Sequence, residues 1–145
     1  MNVRNKIVAG VAVVAALVSC GAMAAVNADE IHLALTELKL GLVKMAVANA
    51  MLANPTPPAS NAALHVGAPN KLGSGEFSAI EVSQGGVINL YLTPAVGVKG
   101  GILQLVPKIV TDKQGKKAVQ FSCYSPNIPD IASADAHCTY RAARK

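Results

Sequence analysis

The chain has 145 residues, of which 52% are apolar, 3% aromatic and 14% charged, and its formal net charge is +5. That length suits one domain and is short for two. The apolar content argues against intrinsic disorder, and its concentration at the N-terminus argues against a multi-pass membrane protein. The sequence holds no tryptophan, three tyrosines and two phenylalanines, so the core must come largely from Val, Leu, Ile and Ala.

The first 24 residues read as a secretory signal. Arg4 and Lys6 lie in a short basic start, and Ile7 to Ser19 is an uncharged apolar run. That run is shorter than the roughly 20 residues a membrane-spanning helix needs. Ala22-Met23-Ala24 then offers a small-residue cleavage site before Ala25. Leu17-Val18-Ser19-Cys20 also resembles the lipobox of bacterial lipoproteins, in which Cys20 would be acylated. Release after Ala24 and lipidation at Cys20 are the two expected forms of processing. Either one carries residues 25–145 across the bacterial inner membrane, to the periplasm, an outer-membrane anchor or the cell surface.

Outside the signal two cysteines remain, Cys123 and Cys138. An even pair in an oxidising compartment predicts a disulfide, which for a loop of this size is worth about 3 kcal/mol by chain-entropy arguments. Metal ligation is the competing arrangement, but His137 is the sole neighbouring donor of the right type, which makes a poor site.

Asn27, Asp29 and Glu30 supply capping and first-turn signals for a helix over Ala28–Ala53. Ile31, Leu35, Leu38, Leu42, Met45 and Asn49 follow the helical spacing of one face, and Leu33, Leu40, Val43 and Val47 widen it. Glu37, Lys39 and Lys44 make the polar side. Folding against a sheet is expected to consume most of this apolar stripe, with Leu33, Leu40 and Val43 as the surface left over. Pro55, Pro57 and Pro58 end the helix at Asn54. Residues 54–75 read as a long connecting loop with His65 as a surface or packed loop histidine.

From Glu76 the periodicity becomes two. Strands are predicted at Phe77–Val82, Val87–Thr93, Gly101–Val110 and Ala118–Cys123. Ser83–Gly86 forms the first turn and Asp112–Gly115 the last. Ile88, Leu90 and Leu92 share one face, with Asn89 and Tyr91 on the other. Leu103 and Leu105 point inward, as do Val119, Phe121 and Cys123, and Pro107 marks an edge or bend. The predicted fold class is α+β: an N-terminal helix packed on a four-stranded antiparallel sheet, followed by a C-terminal disulfide loop.

Several segments in this order are similar to parts of bacterial type IV pilins. Glu37-Leu38-Lys39 and Val43 to Ala48 resemble the polar half of the pilin helix, and Asn54 to Pro58 with Asn61-Ala62-Ala63 the segment leaving it. Gly85 to Leu90 resembles the strand after the first hairpin. Gln120-Phe121-Ser122-Cys123 resembles the W-x-C close of the last strand, with Phe in place of Trp. Ser125 to Cys138 resembles the disulfide-bounded region. Pilins begin with a basic leader and a long hydrophobic assembly helix, whereas here an export signal stands in that place. The resemblance therefore implies a pilin head without its assembly tail, expected to be a soluble monomer or small oligomer rather than a filament.

Phosphate-loop, zincin and nucleophile-elbow motifs are missing from the sequence, and solvated structural roles account for its few carboxylates. The expected function is therefore non-enzymatic, without cofactor, metal or small-molecule substrate. The resemblance implies a structural or adhesive role with other pilin subunits, the pilus assembly machinery or a host or cell surface, through residues 54–75 and 123–138. The alternative is a pilin-like DNA-binding module for DNA uptake. Lys108, Lys113, Lys116 and Lys117 would then form an anion-contacting cluster at one sheet end, with Arg141 near the end of the chain as a further contact and Tyr124 and Tyr140 available for stacking.

Overall fold

The computed structural model describes residues 38–73, 75–94, 100–134 and 137–143, all within the unit Leu35–Lys145. The export signal expected at residues 1–24, the lipidation candidate Cys20 and the helix start expected at Ala28 lie outside the described residues.

Residues 38–53 form a helix, α1, which ends where the prolines require. Asn54 closes its last turn, with backbone and side-chain amides both donating to the Ala50 carbonyl. The segment expected to be a plain loop contains two one-turn helices. In α2 (Asn61–Leu64), Ser60 Oγ accepts from the Ala63 amide and His65 closes the far end in the left-handed region at φ 56°. The third helix, α3 (Pro69–Leu72), starts on a proline, whose missing amide hydrogen the first turn does not need.

Strands β1 (Phe77–Ser83), β2 (Val87–Leu92), β3 (Ile102–Thr111) and β4 (Lys117–Ser125) form the expected antiparallel meander. A single 3₁₀ turn, Gln84–Gly86, joins the first two. At the β3–β4 turn, Asp112 Oδ1 accepts the Gln114 and Lys116 amides. The sheet has one strand more than expected: after the short helix α4 (Ile131–Ala134), β5 (Cys138–Tyr140) lies parallel to β4. The sheet is therefore five-stranded and mixed, in order β1-β2-β3-β4-β5. Three residues are too few for a period-two signal, and their partner strand is reached only through a crossover. Cys123 and Cys138 are register partners in that parallel pair and are joined by a disulfide, with Cα atoms 4.5 Å apart.

Alternation divides the sheet into two faces. Ile80 and Val82 of β1 meet Leu90 and Ile88 of β2, and all four pack with Val43 and Val47 of α1 in the main core. Leu40, Met51, Leu103, Leu105 and Phe121 border it. A smaller cluster at the other end combines Leu92, Ile128, Ile131 and Cys138. The buried Ser125 ties this end together, its Oγ donating to the Ile102 carbonyl at 2.8 Å and accepting the Ile128 amide at 3.1 Å.

Three polar or special residues fix how the layers meet. Asn61 is buried and treats the outer edge of β1 as a strand would: its Oδ1 accepts the Val82 amide and its Nδ2 donates to the Ile80 carbonyl. Gly86 has φ 75° and donates its amide to Pro58. A Cβ there would stand 3.1 Å from Val47 Cγ1 and 3.3 Å from Pro107 Cγ, so α1, the turn and β3 converge on a site that only glycine suits. Pro107 lies beyond the part of β3 that pairs with β2, Ile102–Leu105, so its missing donor leaves that ladder intact.

Asn89, expected on the outer face, does face away from α1 but is buried there. It donates to Ser83 Oγ at 3.0 Å and accepts from Gln104 Nε2 at 2.9 Å, so its burial leaves no unmet amide.

Candidate functional site

The side of α1 that meets the sheet is not the stripe with the larger residues. Val43 and Val47 are 0% exposed, whereas Leu38 is 59%, Leu42 51%, Met45 56% and Leu52 45% exposed. The polar residues are inverted too. Lys39 donates to the Gly73 carbonyl at 3.3 Å, and the Lys44 ammonium stands 5.3 Å from the centroid of the Phe121 ring on β4. The two valines thus face the sheet, Lys44 reaches a sheet aromatic and Lys39 the Gly73 carbonyl, and the outward side carries three leucines and a methionine. This overturns the expectation that the Leu38–Leu42–Met45 stripe is spent in folding and that Leu40 and Val43 are left over. Two apolar stripes share the helical period; the short, β-branched valines let the helix approach the sheet closely, and the longer side chains are left outside.

Four large apolar side chains exposed along one helix make this side a candidate contact surface. An apolar surface left over on the helix was expected, but at other residues, and the signal for the observed one was present: Leu38, Leu42, Met45, Asn49 and Leu52 alternate in steps of four and three.

The basic residues fall in two places. Lys108, Lys113, Lys116 and Lys117 lie on the β3–β4 hairpin, all exposed, on the part that runs past the pairing with β2. Arg141 is not among them. It follows β5, its amide donates to the Ser125 carbonyl, and its guanidinium stacks 3.8 Å from the centroid of the Tyr124 ring. Lys117 and Tyr124 occupy opposite ends of β4, roughly 23 Å apart at about 3.3 Å per residue. The four lysines expected at one sheet end do lie together, and Arg141, the further contact candidate, forms a separate Arg–Tyr pair. Tyr140 is exposed on β5, and Tyr124, His137 and Thr139 line an open depression beside the disulfide.

Glu81 and Tyr91 make the one resolved perturbation of a titrating group among the described residues. Tyr91 donates its phenol hydrogen to the Glu81 carboxylate across the β1–β2 pair. That hydrogen bond, helped by partial burial and the carboxylate's charge, holds the phenol above its ordinary value. Among the described residues, no group of three or more His, Cys, Asp or Glu is arranged to hold a metal ion. No helix among them is long and apolar enough to cross a membrane.

No protein-family model matches the chain, and no curated protein matches its sequence.

Proposed function

We propose that residues 25–145 form a non-enzymatic structural or adhesive module of the type IV pilin kind, exported from a bacterial cell and joined to pili or the cell surface through α1. The carrying observation is the two-sided helix: one side is spent on the sheet, and Leu38, Leu42, Met45 and Leu52 are held outward on a rigid scaffold. The α+β plan and the Cys123–Cys138 bridge, which closes the final segment onto β4, support the same reading. The chain carrying an epitope tag, expressed in its own host, is expected in the fraction of surface fibres released by shearing and on pili by immunogold labelling. Leu42→Lys is expected to remove it from both. A chain retained in the cytoplasm, or secreted with no fibre association, would sink this reading.

A second reading, a DNA-binding module, is favoured by one observation. The β3–β4 ribbon extends past β2 with four exposed lysines, and a two-stranded ribbon is narrow enough to enter a major groove. Binding of this kind would weaken steeply with salt, and changing Lys113, Lys116 and Lys117 together to Ala would flatten that dependence. Absence of a mobility shift at low salt with micromolar protein would eliminate it.

A further inference from the structure

We infer that the outward side of α1 is a seam for a second copy of this chain, joined as a parallel, in-register two-helix coiled coil. The inference rests on the proposal above that this side is a contact surface, and it names the occupant.

The pattern on the page is a heptad. With Leu42 and Asn49 at the a positions, Leu38, Met45 and Leu52 fall at d, and all five are exposed. The residues that touch the rest of the domain fall at the complementary positions: Leu40 and Val47 at f, Val43 at b, Lys44 and Met51 at c. The sheet therefore occupies the side of the helix that a two-stranded coiled coil leaves free, and two domains joined along a and d would lie on opposite sides of the pair. The flanking e and g positions hold Gly41, Ala46, Ala48 and Ala53, all small and uncharged, together with Lys39, whose ammonium donates to the Gly73 carbonyl, and a Cβ added at Gly41 meets nothing within 4 Å. The four small residues allow close approach.

Asn49 selects the arrangement. In a parallel, in-register pair, a faces a, so the two Asn49 amides meet and hydrogen-bond in the seam. In an antiparallel pair a faces d, and each amide would be buried against Leu or Met without a partner, which is costly. A partner helix with a purely apolar seam would strand the same amide. A second copy supplies the matching group at the matching level, and the same four-three alternation continues in the sequence to Leu35 and Ile31.

The test uses the full-length chain expressed with its own N-terminus. Sedimentation equilibrium is expected to show a concentration-dependent dimer, and Leu42→Lys is expected to abolish it while melting at the temperature of dilute, monomeric wild type, because Leu42 is outside the core and only the stabilisation by association is lost. Asn49→Leu, which removes the selecting amide, is expected to give tighter and mixed oligomers. A photo-crosslinking p-benzoylphenylalanine in place of Ala53 should label the partner's residues 48–52. Labelling of residues 38–42 instead would indicate an antiparallel pair and overturn the proposal. So would a wild-type chain that stays monomeric at high concentration, or a dimer untouched by Leu42→Lys. If the chain is monomeric but Leu42→Lys still removes it from sheared fibres, the second copy is excluded and the contact-surface reading stands. Loss of fibre association with an intact dimer in the wild type would have the opposite meaning.

Discussion

The two apolar clusters of this domain are built by different means. The main one draws Val43 and Val47 from α1 and Ile80, Val82, Ile88 and Leu90 from the first hairpin, and it is closed by packing between two regular elements. The smaller one draws Leu92, Ile128, Ile131 and Cys138 from the end of a strand, a crossover and a three-residue strand, and it is closed by a covalent bond. A helix laid on a hairpin buries enough apolar surface to offset its own ordering, while a strand as short as β5 does not. The disulfide supplies the difference by restricting the unfolded chain at the point where β5 must pair. Interdigitated side chains order one end of the molecule, and a bridge between register partners orders the other.

The contrast can be broken at either end. Ile80→Ala, at a fully buried position, should cost about 2–5 kcal/mol and lower the stability of the whole domain in thermal denaturation. Cys123→Ser should cost about 3 kcal/mol. In hydrogen exchange its loss of protection should centre on β5 and the crossover and spare β1 and β2. Uniform loss along the chain would show that the two clusters are one cooperative unit.

Smaller changes sharpen the same comparison. Asn61→Ala leaves the Val82 amide and the Ile80 carbonyl unpartnered at a buried edge, and should cost about 1–3 kcal/mol, with faster exchange at the Val82 amide. Tyr91→Phe should cost about 1 kcal/mol or less at neutral pH. Because the folded phenol holds its proton above the ordinary value of 10.0, its contribution is complete below that pH and is lost as pH rises through the folded value. Denaturation curves of wild type and Tyr91→Phe should therefore converge at alkaline pH, and curves that stay parallel would refute the assigned role of the Glu81 bond.

The strands were legible because Ile88, Leu90 and Leu92 recur at every second residue of β2, and Leu103 and Leu105 of β3 stand opposite the first two, which leaves little choice of face. The end of α1 was legible because three prolines forbid its continuation. The face of α1 was not, since two apolar stripes satisfy the same period and the choice depends on how closely the backbone must approach the sheet at Gly86. Strand β5 was hidden for a different reason. Its three residues become a strand only because Cys138 is held beside Cys123, a relation between positions 15 residues apart that no local pattern carries. Of the candidate site, the four hairpin lysines were placed together as expected, but Arg141 was separated from them once the chain crossed over to a new sheet edge.

Pro107 has a further consequence. Beyond Leu105, β3 continues with β4 on one side and is not paired with β2 on the other, which exposes a stretch of sheet edge that carries Ile109. Such an edge is a template on which another chain can add a strand and begin aggregation. Pro107 offers no amide hydrogen at the start of that stretch, and the exposed Lys108 follows it with a charge. The residue whose ring lies against Gly86 therefore also interrupts the row of donors along the ribbon, which makes the stretch past β2 a poorer template for a foreign strand.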